Sequence, residues 1–314
     1  MAKYKIIANP MAGGGTARHK IPLIQEKLTR LGLDFDLVRT DHIGHSQELT
    51  RQAVAAGYDI IVAAGGDGTS NEVVNGLMEA RQAGLATATM GVLCIGRGND
   101  FAGSIGIPYD LDQACDLLRH LDQRRMVDIG RVTGGVYPQG RYFCNCVGIG
   151  FDAIGTIEVS KLPRMGGFFS FFIAVLKTIF LYYRAPLTKI EYDGQTLTQP
   201  SLMVSIMNGR RLGGGFIMAP NSEPDDGFFD LCIAEEMSRV RIFQLIPHFL
   251  KGTQATQKEI KTARATHIQI TALEGSKLPA QTDGEILCID GQHLEVELLP
   301  RQIEVICPIR KGKQ

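Results

Sequence analysis

The sequence predicts an α/β protein followed by a β protein: an N-terminal doubly wound parallel-sheet nucleotide domain and a C-terminal, mostly antiparallel β-sandwich domain, with a cleft between them. Three observations carry that expectation. Up to about residue 125, apolar runs alternate with segments of helical period. Beyond it come short strand-like runs separated by turn residues. At 314 residues, the chain also exceeds the roughly 250 at which single hydrophobic cores stop growing. The expected division is 1–125 and 126–314, with the destination of the last strand left open.

Taken in order, Lys3 to Asn9 is a first strand. Ile21, Ile24, Leu28 and Leu31 recur at helical spacing, and Asp36 to Thr40 forms a second strand. Ser46 caps a second helix running to Ala56. The Ile60 to Ala64 strand follows, then a third helix with Val73, Val74, Leu77 and Met78 on one side. Met90 to Ile95 is the fourth strand, and Ala114, Leu117, Leu118 and Leu121 share one face of a helix from Asp110 to Leu121. This alternation implies right-handed crossovers and a parallel sheet covered on both faces.

Such sheets bind ligands beyond the carboxyl ends of their strands. Every polar, glycine-rich turn of this half falls at such an end: Asn9-Pro10-Met11-Ala12-Gly13-Gly14-Gly15, Thr40, Gly65 to Thr69, and Gly96-Arg97-Gly98-Asn99-Asp100. Four of them on one edge point to a nucleotide-phosphate site. The third is the centre of the pattern. There a buried-strand run, Ile60 to Ala64, breaks into Gly65-Gly66-Asp67-Gly68-Thr69. Glycines let backbone N–H groups converge on one point, which suits phosphate oxygens. Thr69-Ser70-Asn71-Glu72 has capping-box spacing and predicts a helix start. Asp67 would repel an anion unless a divalent cation or an oriented group intervenes. Read alone, Asp67-Gly68 is equally a tight turn.

From about Met126 the strand-like runs are Arg141 to Val147, Leu187 to Tyr192, Leu202 to Met207, Phe228 to Ala234, His267 to Thr271, Leu294 to Leu298 and Ile303 to Ile306. Helices are expected only around 168–183 and 238–250. The first is apolar almost all round, which usually means burial. Its alternative is a surface helix touching a bilayer or acyl chain, with Lys161, Arg164, Lys177 and Arg184 near anionic headgroups. Two acidic turns precede strands, Glu223-Pro224-Asp225-Asp226-Gly227-Phe228 and Asp283-Gly284-Glu285. Each is an ordinary hairpin turn by itself. Beside a phosphate site, however, such turns can supply magnesium ligands and a base.

Composition excludes several roles. Lysine plus arginine and aspartate plus glutamate both number 33, so a polyanion surface, and with it nucleic acid, is not expected. Seven cysteines at irregular spacing read as reduced, packed thiols in a cytoplasmic protein. Met1 to Lys5 offers no cleavable hydrophobic region, so secretion is not expected. Lys177 interrupts the apolar helix, which falls short of the roughly 20 residues of a membrane span. A short basic run, Arg310-Lys311-Gly312-Lys313, precedes Gln314.

The ordered set of motifs resembles the diacylglycerol kinase catalytic family, which also contains sphingosine and ceramide kinases and bacterial soluble lipid kinases. It comprises Asn9-Pro10 with Gly13, Gly65 to Thr69 with Asn71-Glu72, Gly98-Asn99-Asp100-Phe101-Ala102, Gly213-Gly214-Gly215, Ala219-Pro220 to Leu231, and Asp283-Gly284-Glu285. The resemblance implies an ATP- and Mg2+-dependent lipid kinase. It would transfer the γ-phosphoryl group to a lipid hydroxyl, with diacylglycerol as default acceptor.

The same resemblance implies site roles. Asn9, Pro10, Met11, Ala12, Gly13 and Thr40 would lie near the nucleotide, and Gly65, Gly66, Asp67, Gly68, Thr69, Asn71 and Glu72 around its phosphates, joined by Arg97 and Asn99. Magnesium would take the Asp226 side chain and the carbonyls of Glu223 and Phe228. Glu285 would be the general base, Asp283 its support, and Asp67 a positioner of metal or substrate. Gly213 to Phe216 would bring backbone close to the ligand. The chain departs from the family at Gly96-Arg97, where Gly-Thr is usual, and at Cys94, where Pro is common. A guanidinium there can pair with phosphate in place of the hydroxyl contact. Expected partners are a lipid at a membrane surface, met peripherally and without a transmembrane span, with a homodimer left open. Alternatives are a soluble-substrate kinase of the NAD-kinase type and a non-catalytic nucleotide- or lipid-binding relative.

Overall fold

The computed structural model describes residues 2–161, 167–181 and 184–309. They form two compact units, one from the described residues of 2–128 and 300–309, the other from those of 129–299. The first unit runs β1 (Lys3–Ala8), α1 (Ala17–Arg30), β2 (Asp34–Arg39), α2 (His45–Ala55), β3 (Ile60–Gly65), α3 (Asp67–Gln82), β4 (Thr89–Cys94), α4 (Asp100–Ser104) and α5 (Leu111–Leu117). Its strands are parallel in the order β4-β3-β1-β2. All six residues of β3 and of β4 are buried, as central strands of a sheet covered on both faces must be. The helical faces read from periodicity pack inward: Ile21, Ile24 and Leu28 on α1, and Val73, Val74, Leu77 and Met78 on α3.

Two helix starts differ from expectation. Helix α3 begins at Asp67 with Gly66 as cap, so Thr69 lies inside the first turn. No capping box forms there, because the Glu72 carboxylate is taken elsewhere: it accepts from Gly44 N at 2.8 Å and Ser46 N at 3.0 Å. Glu72 thus meets two backbone donors at the start of α2. That in turn explains why Ser46 is not the cap of α2. Gly44, in left-handed conformation, holds that position, and Ser46 Oγ is buried without a partner.

The second unit begins within β5 (Arg124–Gly134) and continues through β6 (Tyr137–Phe143), β7 (Cys146–Gly150), α6 (Phe151–Lys161), α7 (Gly167–Leu181), β8 (Leu187–Tyr192) and β9 (Gln195–Met207). The short pair β10 (Arg211–Leu212) and β11 (Phe216–Ile217) precedes β12 (Phe229–Glu235) and α8 (Arg239–Lys251). Then come β13 (Ile260–Ala265), β14 (His267–Ala272), β15 (Leu278–Thr282), β16 (Glu285–Gly291) and β17 (His293–Ile306). Strand β9 serves two sheets. Its first part pairs with β8, from Tyr192↔Gln195 to Leu187↔Pro200. Its second part, from about Ser201, pairs with β7 and β12. Both sheets are antiparallel and enclose one core that includes Val147, Ile206, Leu231, Ile268, Leu294 and Val296, the arrangement of a sandwich.

Alternate residues of the β7, β9 and β12 sheet face the other way. Cys146, Met203, Met207, Cys232 and Ala234 join Val175 and Ile179 of α7 and Ile242 and Leu245 of α8 in a second cluster. These strands are therefore buried on both faces, and so they read as unbroken apolar runs. The expected strand Arg141 to Val147 is two strands, β6 and β7, interrupted at Cys144-Asn145. The expected pair Leu294 to Leu298 and Ile303 to Ile306 is one strand, β17. It leaves β14 (His267↔Glu297) and reaches β4 in parallel at Val305↔Met90. Arg301, at φ 52°, marks the change, and Arg301 N donates to buried Asp128 at 2.8 Å. Helix α6 and strands β5, β13, β15 and β16 were not expected.

Helix α7 buries Ala174, Val175, Thr178 and Ile179 but leaves Phe180 exposed, so it is one-sided. Lys177 pairs with buried Glu158 of α6 at 3.5 Å. Arg164, the Lys161 side chain and Arg310 to Lys313 lie outside the described residues. Among the described residues, no helix is long and apolar enough to cross a membrane.

Gly65 has no room for a side chain: a Cβ there would stand 2.2 Å from Thr69 Oγ1 and 2.4 Å from its Cβ. Gly65→Ala is expected to cost about 1–3 kcal/mol of stability, the usual range for overpacking. A urea-unfolding midpoint unchanged from wild type would contradict that packing.

Candidate active site

In the first unit, three loops at the carboxyl ends of β1, β3 and β4 lie against one another. Asn9 Oδ1 accepts from Met11 N at 2.9 Å and Asn9 Nδ2 donates to Thr69 Oγ1 at 3.2 Å. One carboxamide therefore folds its own loop and ties it to α3. Gly13, Gly14 and Gly15 all have positive φ, which bends the chain after Met11 into a tight loop. Gly66 and Gly96 touch backbone to backbone, and a Cβ on Gly96 would sit 2.4 Å from Gly66 Cα. Asp67 Oδ1 accepts from Phe101 N at 3.1 Å, holding the start of α4. Asn99, at φ 54°, makes the turn before it, a conformation Asn tolerates better than most residues. Buried Thr40 closes the fourth loop through its N–H to Ala8 O at 2.9 Å.

Most of the expected residues of this unit thus come to one edge. Pro10, Ala12 and Gly66 are half-buried, Met11 and Gly68 are exposed, and Thr69 is buried. Asn71 is fully buried and receives Asn75 Nδ2 at 3.1 Å. The Glu72 carboxylate is engaged by the backbone at the start of α2. Arg97 is exposed. Burial pushes the neighbouring Cys94 thiol up to about 12, with Asp67 adding to the shift and Lys20 opposing it. Lys20 is therefore a cation beside this edge that the motif reading missed. Asp41, His42 and His45 cluster just past Thr40, with His45 Nδ1 at 2.8 Å from Asp41 Oδ1.

In the second unit, Asp283 sits at φ 45° in the turn between β15 and β16. Its carboxylate accepts from Cys144 N at 2.9 Å, Asn145 N at 3.1 Å and Cys146 N at 2.8 Å. Three successive buried donors are met by one group, so this turn fixes the entry to β7. Two residues on, Glu285 is ion-paired with Arg141 Nη2 at 2.7 Å, its side chain 25% exposed. Tyr137 also hydrogen-bonds Glu285, and the Arg141 guanidinium lies 5.0 Å above the Tyr137 ring. Arg141 and Tyr137 lie on β6, and no local signal links them to Glu285.

The other acidic turn carries Asp226, whose carboxylate is ion-paired with Arg264 and accepts from Phe228 N at 3.2 Å. Glu223 O accepts from Asp226 N at 3.3 Å, and the Glu223 carboxylate meets Arg210 at 2.6 Å. Asp230, beyond the expected set, has its proton affinity raised by burial, opposed by Arg264 and reinforced by Asp226 and Glu223. Its Oδ2 is buried without a partner. The carboxyl groups of Glu223 and Asp226 are each paired with an arginine, Arg210 and Arg264. Gly213 and Gly214, at positive φ, turn the chain between β10 and β11.

Between α6, α7, α8 and the sheet lies a cavity lined by fifteen residues, of which only Asp152 has a polar side chain. Asp152 is 4% exposed. Its Oδ2 accepts from Ser205 Oγ at 3.2 Å, and Gln281 also bonds the carboxyl. Oδ1 has no partner. Burial drives this carboxyl up to about 7. The motif reading missed it, although a signal existed. Cys146 to Gly150 ends in glycine before Phe151-Asp152, repeating the strand–glycine–Asp–helix order of Gly65 to Asp67.

Comparison with known proteins matches residues 3–132 to the diacylglycerol kinase catalytic domain and residues 145–307 to the YegS C-terminal NAD kinase beta sandwich-like domain. A diacylglycerol kinase of Bacillus subtilis (strain 168) is 31% identical over 323 residues, covering 100% of this chain and 99% of its own. The chain belongs to the diacylglycerol kinase family. A diacylglycerol kinase of Staphylococcus aureus is 28% identical, covering 98% of this chain and 92% of its own. Two solved structures from Bacillus anthracis str. Sterne, each described as that of a putative diacylglycerol kinase, superpose with TM-scores of 0.79 and 0.76, at 25% and 26% identity. Each covers 97% of this chain, and 95% and 97% respectively of the matched protein. The family and the two-part fold expected from sequence are thus borne out, and the chain is an enzyme of the lipid kinase class.

Two outcomes follow for the second unit. Asp283→Ala would orphan three buried N–H groups and is expected to cost about 3 kcal/mol or more, read as a shifted denaturant midpoint. For Asp152, the folded-state value stands above the unfolded one. The native state therefore holds the proton more tightly, and stability falls as pH rises from about 4 to about 7. Asp152→Asn should melt higher than wild type near pH 8, with the gap narrowing steadily towards pH 4. A gap independent of pH would refute the assignment.

Proposed function

We propose that the protein transfers the γ-phosphoryl group of ATP to a lipid hydroxyl, with diacylglycerol as default acceptor. The observation that carries the lipid half of this reading is the cavity in the second unit, whose lining is apolar except for Asp152. An aliphatic chain fits such a lining, and a soluble, highly charged acceptor does not. The nucleotide half rests on the converging loops of Asn9 to Gly15, Gly65 to Thr69 and Gly96 to Asn99, where close backbone contact excludes side chains and leaves N–H groups for phosphate oxygens. Exposed Arg97 and nearby Lys20 add positive charge for the phosphates.

Magnesium would be held by the Asp226 and Asp230 carboxylates and the Glu223 and Phe228 carbonyls; when bound, it neutralises charge on the transferring phosphates. Asp67 keeps the phosphate loops in place through Phe101 N. Glu285 accepts the proton of the attacking hydroxyl. Arg141 holds it in one orientation, and Asp283 fixes the turn that carries it. Contact with the bilayer is peripheral, through exposed Phe180 on α7 and Val240 on α8 beside Arg239. All seven cysteines are buried and none is in a disulfide, which suits the reducing cytoplasm.

The test is transfer of labelled phosphate from ATP and magnesium to a panel of lipids in mixed micelles, with NAD as a soluble comparison. Label is expected on a glycerolipid, at least a hundredfold lower in Glu285→Gln, the span typical of losing a general base. Arg97→Thr should raise the KM for ATP several-fold with kcat little changed. Label on NAD alone, or on nothing while ATP binds, would overturn the lipid kinase assignment.

A further inference from the structure

The one polar side chain in the lining of the apolar cavity, Asp152, carries an oxygen that the fold leaves without a partner. Asp152 Oδ2 accepts from Ser205, Gln281 also bonds the carboxyl, and no Cβ can be added at Gly148 without meeting Oδ2 at 2.1 Å. The carboxyl is therefore locked in orientation from the sheet side. Its Oδ1 is buried, unpartnered, and part of a residue that lines a cavity otherwise walled by side chains such as Leu202, Leu212, Phe216 and Phe249. A buried polar atom without a partner costs stability, and a ligand that meets it is one way to recover that cost.

We infer that Asp152 is a specificity-determining residue: it hydrogen-bonds an oxygen of an aliphatic ligand seated in this cavity, so that oxygen-bearing chains are taken in preference to bare hydrocarbon. This rests on the lipid reading above and adds to it the group that distinguishes one lipid from another. The occupant is a single aliphatic chain carrying a hydroxyl or ester oxygen. A hydroxyl can serve either form of the carboxyl. An ester oxygen only accepts, so it needs the protonated acid. Burial makes that form available near neutrality, since the group titrates at about 7. The polar groups facing it are Ser205 on β9, Gln281 on β15 and the Cys232 thiol on β12, whose own proton Asp152 helps to retain. None of these is a cation that would hold the carboxyl ionised.

Methionine methyl groups report the cavity directly, because Met203, Met218 and Met237 line it. NMR titration of isotope-labelled methionine methyls with 1-octanol, octane and methyl octanoate tests the inference without phosphoryl transfer. In wild type, 1-octanol is expected to bind about tenfold more tightly than octane, the worth of one neutral hydrogen bond. Asp152→Leu should abolish that preference and Asp152→Asn keep it. Methyl octanoate should bind more tightly near pH 6 than near pH 8, and that dependence should vanish in Asp152→Asn.

Equal affinity for octanol and octane in wild type overturns the proposal. So does a preference that survives in Asp152→Leu, or the absence of any shift at these methyls. Should Asp152→Leu fail to fold, the wild-type comparison and the pH response of the ester decide. The two readings fail separately. A chain that prefers octanol but labels no lipid loses the kinase assignment and keeps this one. A lipid kinase indifferent to the oxygen does the reverse.

Discussion

The first unit depends on the contact between Gly66 and Gly96, two loops whose backbones meet with no side chain between them. Adjacent parallel strands β3 and β4 end side by side, and bulkier residues at their exits would force the loops apart. With glycine at both positions the loops touch. Asp67 then reaches Phe101 N, and Asn9 reaches Thr69. The N–H groups of the β1, β3 and β4 exits consequently lie on one edge, where the start of α3 adds the positive end of a helix dipole.

The second unit solves a different problem with the same economy of buried polar groups. Its central strands are covered on both faces, so any carboxylate near them must be fully engaged or kept neutral. Asp283 is engaged, with three backbone donors. Asp152 is kept closer to neutrality, with two partners and one oxygen left over. Asp230 shares its surroundings with Asp226, Glu223 and Arg264 and also keeps one oxygen unmet. The two orphaned oxygens suit different ligands. On the proposed reading, the Asp230 oxygen would meet the cation and the Asp152 oxygen, in a residue that lines the apolar cavity, would meet a lipid oxygen.

Much of this was legible in the chain. Strand β3 announces itself as a run of buried aliphatic residues ending in glycines, and α3 by its four-residue apolar face, because period and composition are local properties. The acidic turns at Asp226 and Asp283 were visible for the same reason. Illegible were the functions of individual polar side chains within these motifs. Thr69 and Glu72 have the spacing of a capping box, yet Glu72 serves α2 and Thr69 serves Asn9. Spacing records which residues could meet; competing partners from elsewhere decide which do.

By itself, then, the sequence determined the parallel-sheet unit, the glycine exits of its strands, the sandwich that follows, and the order of motifs that marks the diacylglycerol kinase family. These follow from hydrophobic period and backbone freedom, which each segment carries with it. Only the tertiary structure decided that Arg141 and Tyr137 flank Glu285, that Arg264 pairs with Asp226, that β17 crosses from β14 to β4, and that Asp152 faces an apolar cavity with one oxygen unmet. Each of these depends on strands or helices far apart in the chain being brought together by burial, a non-directional force that local sequence does not encode pair by pair.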